Sequence, residues 1–150
     1  EDPREGGGRK TEISREEDAS APMKLLLDTC TFLWAIAEPD RLPRRVADLI
    51  LFEEHEVYLS AASAWEIVIK HARGRLHLHA PLDRFVRDQR DAAGIQSLAV
   101  DEESALHVSR LAALHRDPFD RMLVSQAIVH GMTILTPDPL ITQYPARTTW

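Results

Sequence analysis

The chain has 150 residues, of which 44% are hydrophobic and 28% charged, with a formal net charge of -6. That length suits one domain with one substantial core, and the acid excess excludes a protein whose whole surface attracts nucleic acid. Cys30 is the only cysteine, which excludes an internal disulfide. With no zinc-knuckle spacing, no signal peptide and no apolar run near membrane length, the expected home is a reducing cytoplasm.

Residues 1–22, EDPREGGGRKTEISREEDASAP, combine a glycine triplet, mixed charge and few apolar residues. This predicts a disordered arm, either an upstream extension or a partner-binding segment, ahead of a folded domain over 23–150. MKLLLD is an apolar run closed by an acid, the pattern of a buried strand. TCTFLWAIA predicts a short helix ended by the EPDRLP turn. Pro43 opens a second helix with Val46, Leu49, Ile50 and Phe52 on its apolar side. EVYLS is a second strand, and SAWEIVIKHARG is a helix stopped at Gly74. PLDRFVRDQRDAAG predicts another helix, from its proline to Gly94, and IQSLAV a third strand. Asp101 caps a helix over EESALHVSRLAALH, and HRDPFDRMLVSQA opens the next, through about Gly131. MTILT is a fourth strand, Asp138 and Pro139 open a short last helix, and RTTW is a candidate terminal edge strand. Strands separated by helices, with no internal repeat, imply an α/β fold whose parallel sheet is covered on both faces. Sites in such sheets form beyond the carboxyl ends of the strands.

The acids fall near that edge. Asp28 ends the first strand, Asp138 follows the fourth, and Glu66 lies early in the helix after the second. Asp117 and Asp120 open the helix feeding the fourth strand. On the simplest topology that puts them near the opposite edge, unless the AALHRDPF connection carries the helix start back. Four of the acids have a plain local explanation: Asp28, Asp117 and Asp138 are good helix caps, and Asp120 favours the helix dipole, whereas Glu66 sits between Trp65 and Ile67 in a mostly apolar helix start. Capping does not explain why so many gather around one crevice. Unpaired carboxylates there repel, and burial makes ionisation costlier. A hard divalent cation resolves both problems, and an all-oxygen site suits Mg²⁺ or Mn²⁺ shared with a substrate phosphate. The rival donor set, His77 and His79 in HLH with His71 nearby, lacks a further ligand at zinc spacing.

The ordered set LLLDT, SAWEI, HRDPFDRMLVSQA and TPD resembles the PIN domain, and among its members the VapC-like toxins of toxin–antitoxin modules, over about residues 23–150. The resemblance implies a three-layer α/β/α sandwich with a central, mainly parallel sheet, and a metal-dependent endoribonuclease. It matches Asp28, Glu66, Asp120 and Asp138 to the family's catalytic, metal-holding acids for Mg²⁺ or Mn²⁺. Asp117 is a supporting acid from a DPFD variant. It also implies that the late helix starts at the acidic pocket. Thr29 and Thr136 flank the acids and are candidates to orient water or phosphate, or to make local turn hydrogen bonds. Lys70, Arg73 and Arg75 with His71, and Arg116 with Arg121, are the candidate phosphate contacts; a solvated helix end is the alternative for them. The implied partners are RNA, a cognate antitoxin and a second copy of the chain, with no membrane. Trp34, Phe32, Leu51, Phe52 and Trp65 are apolar candidates for the antitoxin contact, although helical spacing assigns most of them to the core. Two other classes stand beside this reading. A catalytically inactive PIN-like binding module predicts missing acids. A phosphatase-type doubly wound enzyme using Asp28 as nucleophile wants a second acid where Cys30 stands.

Overall fold

The structure, a computed structural model, describes residues 21–78 and 81–150. Five short strands, β1 (Lys24–Leu27), β2 (Glu56–Ser60), β3 (Gln96–Leu98), β4 (Thr133–Leu135) and β5 (Arg147–Thr149), form one sheet in the order β3-β2-β1-β4-β5. Every neighbouring pair is parallel. β1 is central, with Leu25 opposite Val57 on one side and Thr133 on the other. Leu25, Leu26 and Leu27 are 0% exposed, as a continuous apolar run predicts for a strand buried on both faces.

Side chains alternate along a strand, so β1 serves two cores. Leu25 and Leu27 pack with Phe32, Val46, Val57, Leu59 and Ile67 on one face. Leu26 packs with Leu123, Val124, Ala127, Ile134 and Tyr144 on the other. The first face is covered by α1 (Thr29–Ala37), α2 (Arg44–Leu51), α3 (Ala61–Ala72) and α4 (Leu82–Ala92). The second face is covered by α6 (Pro118–His130); a short α5 (Glu102–His107) precedes it in the chain. The result is the α/β/α sandwich expected, with a sheet that is parallel throughout, including the edge strand made by RTTW.

Four expectations change. The helix expected over EESALHVSRLAALH stops at His107 and continues only as a 3-10 turn, Val108–Arg110. The segment after it is fixed by side chains instead: Arg121 donates to the carbonyls of Ala112 and Val108, and the Tyr144 hydroxyl donates to Ala112. That irregular stretch lets the chain travel back along the sheet before α6 begins. Asp117 and Asp120 consequently lie at the carboxyl edge. α6 is tied to β4 by a tight turn, with Met132 N–H donating to the Ala127 carbonyl at 2.9 Å. A helix joined so closely to the next parallel strand runs against it and starts at that strand's carboxyl end. The simplest-topology placement is thus overturned. Finally, the last helix is a 3-10 turn, Ile141–Gln143, and Phe52 sits just past the end of α2 as its C-cap. The arm expected over 1–22 lies outside the described residues, apart from Ala21 and Pro22, and so does His79. Among the described residues no helix is long and apolar enough to cross a membrane.

Gly131 ends α6 in the left-handed conformation, φ 66°, with nothing within 4 Å of where a Cβ would stand. The penalty for a side chain there is purely conformational. Gly131→Ala is expected to lower stability by about 1 kcal/mol without disturbing the packing; the midpoint of urea denaturation, at unchanged slope, checks it.

Candidate metal-binding site

Each candidate acid is set in place by the element that carries it. Asp28 follows β1 and caps α1: its Oδ1 accepts the Thr31 N–H at 2.8 Å and the Cys30 thiol at 3.3 Å. Its Oδ2 accepts the Thr136 hydroxyl at 2.5 Å. Thr136 in turn accepts the Asp138 N–H at 3.0 Å, so one buried hydroxyl joins the ends of β1 and β4. Asp138 Oδ1 accepts the Leu140 N–H at 2.8 Å, which turns the chain away from the sheet. Ser60 caps α3 by accepting the Ala62 N–H, and the helix it starts carries Glu66 inward. Asp117 caps α6, its Oδ1 accepting from Phe119 at 2.8 Å and Asp120 at 3.4 Å. Trp65 and Phe119, beside Glu66 and Asp120 in sequence, meet edge to face at 5.2 Å and couple α3 to α6.

These elements converge on one cleft of about 190 Å³, lined by the five carboxylates Asp28, Glu66, Asp117, Asp120 and Asp138 with Thr29, Cys30 and Lys70. All five predicted acids are therefore brought together. Asp28 and Glu66 are buried, at 4% and 5% exposure. Lys70 Nζ pairs with Glu66 Oε2 at 3.1 Å, but Glu66 Oε1 is buried and receives no hydrogen bond from the described residues. Thr29 Oγ1, in the same cleft, is likewise buried without a partner. Burial raises the Asp120 pKa to about 7, with the charges of Asp117 and Glu66 adding, His115 opposing, and Asp28 adding further. The Cys30 thiol is pushed up to about 12 by burial and by Asp28, which keeps it protonated at neutral pH.

The donors are carboxylate and hydroxyl oxygens, one of them a buried carboxylate oxygen with no partner. That chemistry fits a hard divalent cation, which would satisfy Glu66 Oε1 and offset the mutual repulsion. One nitrogen also reaches the group. His115 Nε2 lies 3.0 Å from both Asp120 Oδ2 and Asp138 Oδ2, and the three atoms fall within 4.8 Å of one another. Sequence reasoning gave His115 no role; the available signal was a histidine two residues ahead of Asp117 in the same acidic stretch.

The other candidates divide. Lys70 lines the cleft, and Arg73, Arg75, His71 and Arg116 are exposed near the ends of α3 and the start of α6. Arg121 is committed to backbone carbonyls behind α6, so its guanidinium holds a loop rather than facing the acids. Thr136 is 0% exposed and its hydroxyl is already shared between Asp28 and Asp138, so it is a bridge and is not open to a substrate. Of the apolar candidates only Phe32 is core, at 0% exposure; Leu51 and Trp65 stand out at 76% and 63%, and Phe52 is exposed too. Trp34 is half-buried, packed against Trp150 and covered by the Arg41 guanidinium. A separate Ser/His/Asp group, Ser104, His130 and Asp101, is no nucleophile relay. The same His130 Nε2 faces both partners, at 3.3 and 2.8 Å, where a relay needs one ring nitrogen for each.

The chain is 35% identical over 78 residues to Ribonuclease VapC16 of Mycobacterium tuberculosis (strain ATCC 25618 / H37Rv), a match taking in 47% of this chain and 55% of that protein. The chain thus spans about half the length of the curated relative it matches. Its fold is similar to that of VapBC2 from Rickettsia felis bound to a DNA fragment from their promoter (TM-score 0.63, 14% identity, 85% of this chain and 98% of that one). It is also similar to VapBC-1 from nontypeable Haemophilus influenzae (TM-score 0.58, 18% identity, 85% and 97%) and to FitAcB from Neisseria gonorrhoeae (TM-score 0.54, 23% identity, 84% and 96%). At these identities the likeness is one of fold. Residues 25–146, nearly the whole of the sandwich, match the PIN domain, and the chain belongs to the PIN domain family.

Proposed function

We propose that this chain is a divalent-metal-dependent endoribonuclease, acting in the cytoplasm as the toxin of a toxin–antitoxin pair. The observation that carries the reading is the buried, unpartnered Glu66 Oε1 in a cleft walled by five carboxylates. Such an arrangement is poorly stable alone and well suited to a cation. The similarity to Ribonuclease VapC16 supports an RNA substrate, and the fold likeness to VapBC2 and VapBC-1 supports an antitoxin partner.

Asp28, Glu66, Asp120 and Asp138 would hold Mg²⁺ or Mn²⁺, with Asp117 as the cap of α6 and a supporting acid. The cation supplies Lewis-acid activation of water and neutralises charge developing on the phosphodiester. Lys70 offsets part of the cleft's negative charge through Glu66. Arg73, Arg75 and Arg116 are exposed and would meet backbone phosphates. The Thr29 hydroxyl, buried without a partner in the cleft lining, would orient water or a phosphate oxygen. Leu51, Phe52 and Trp65 offer exposed apolar surface for the antitoxin, Trp65 lying next to Glu66 in sequence. A homodimer follows from the family resemblance. A catalytically inactive module would leave the gathered acids without a role. A phosphatase-type nucleophile would have to be Asp28, whose two oxygens already accept three hydrogen bonds.

Asp28→Asn and Asp120→Asn are expected to lower Mg²⁺-dependent RNA cleavage by at least about 100-fold, and EDTA to abolish it in the unsubstituted chain. Folded variants that cut RNA at the unsubstituted rate would reject the proposal.

A second prediction concerns stability. In the metal-free protein the Asp120 pKa, about 7, lies above the ordinary 3.8. Between those values the folded state holds a proton that the unfolded chain releases. This contribution is therefore fully present below the lower value and is lost as pH rises through the upper one. An asparagine stays neutral throughout. In EDTA at about pH 8, Asp120→Asn is expected to be more stable than the unsubstituted protein by about 1–2 kcal/mol, well under the unscreened figure because water still reaches the carboxyl. The gap should close near pH 4; chemical denaturation across this range measures it.

A further inference from the structure

We propose that His115 is a positioning residue that clamps Asp120 to Asp138 by donating its Nε2–H to both, and that it is not itself a metal ligand. The inference rests on the metal-dependent reading above.

The ring's protonation pattern follows from its surroundings. His115 Nδ1 accepts the backbone N–H of Asp117 at 3.1 Å. A ring nitrogen that accepts an N–H carries no proton, so in the neutral ring the proton is on Nε2. Nε2 then has a hydrogen to give, and it faces two carboxylate oxygens at 3.0 Å each. To offer a lone pair to a cation instead, Nε2 would have to pass its proton to Nδ1. Two N–H groups, those of His115 and Asp117, would then point at each other. The three-residue cluster of His115, Asp120 and Asp138 thus has the spacing of a metal site and the hydrogen-bonding pattern of a clamp.

The clamp is anchored and has something to hold. The His115 backbone N–H donates to the Tyr144 hydroxyl at 2.9 Å, and Tyr144 is buried in the second core at 3% exposure. Asp120 rides on α6, whereas Asp138 rides on the turn after β4, so no local backbone geometry fixes their separation. Where both are ionised, their like charges push them apart. A shared donor between them sets the spacing before a cation arrives, and each carboxylate keeps further lone pairs for the ion.

Manganese binding to the full chain without RNA, followed by the EPR signal of free Mn²⁺, tests this. His115→Ala is expected to weaken Mn²⁺ binding by about 10- to 100-fold. His115→Gln, whose amide nitrogen can stand where Nε2 stood, should recover most of that loss. Pulsed EPR of Mn²⁺ on the unsubstituted protein should show no directly bound nitrogen. Equal Mn²⁺ affinity in the alanine variant, equal loss in both variants, or a directly bound nitrogen would each overturn the clamp while leaving the nuclease reading standing. An unsubstituted protein that binds no Mn²⁺ would remove both. Because the spectroscopic measurement needs no substitution, it decides the question even where the alanine variant fails to fold.

Discussion

Like charges crowded at one edge of a parallel sheet are the constraint on which the rest of this molecule depends. A parallel sheet sends every strand's carboxyl end, and the start of the helix that follows, to the same side. Here that side collects Asp28, Glu66, Asp117, Asp120 and Asp138. Their repulsion and burial oppose folding, and the Asp120 carboxyl registers it by holding its proton up to about pH 7. What withstands this is the apolar scaffold behind the cleft. Leu25, Leu26 and Leu27 are wholly buried and feed one core on each face. A loose sheet would relax the strain by letting its strand ends spread, whereas a close-packed one cannot.

Capping and cleft-building are one arrangement here rather than competing explanations. Asp28 and Asp117 each cap a helix, and Asp138 caps the turn after β4. A cap stands at the first turn of a helix, where the partial positive end of the dipole favours an anion. In this topology the first turn after a strand lies at the carboxyl edge. The local requirement for a cap therefore delivers carboxylates to the place where a cation would be shared. Glu66 is different: it caps nothing, is buried at 5% exposure, and leaves one oxygen unpartnered. It is the acid whose position has least local justification, and for that reason it points most directly at a ligand.

The strands, most of the helices and all five acids are legible in the sequence because their signals are local: an apolar run, a proline or glycine at a boundary, an acid after a strand. The placement of Asp117 and Asp120 needs the sheet as well: because β4 is parallel to β1 and tied to α6 by a tight turn, α6 starts at the carboxyl edge, and the stretch from Val108 to Asp117 that reaches it is held by Arg121 and Tyr144 from elsewhere. The same limit hides His115, and it hides the bridging role of Thr136. Each acts by bridging groups far apart in sequence, Thr136 reaching Asp28 and His115 reaching Asp138. Composition does not distinguish a threonine that bridges two strands from one that meets water. Leu51 and Phe52 show the opposite failure: the helical pattern that would bury them ends at α2, and both emerge exposed.

The net charge of -6 and the proposed RNA substrate are reconciled by the order in which charge is neutralised. Lys70 is the only cation lining the cleft among the described residues, and it is already paired with Glu66. One ammonium does not balance five carboxylates, so a phosphodiester approaching the metal-free cleft meets net repulsion. A divalent cation held by these acids would reverse the local balance, while Arg73, Arg75 and Arg116 are exposed and do not line the cleft. On the proposed reading the surface arginines would gather RNA, and the acids would need a cation before a phosphate could enter. Such a division would let an acidic protein act on a polyanion, because the attraction is local and part of it arrives with the ion.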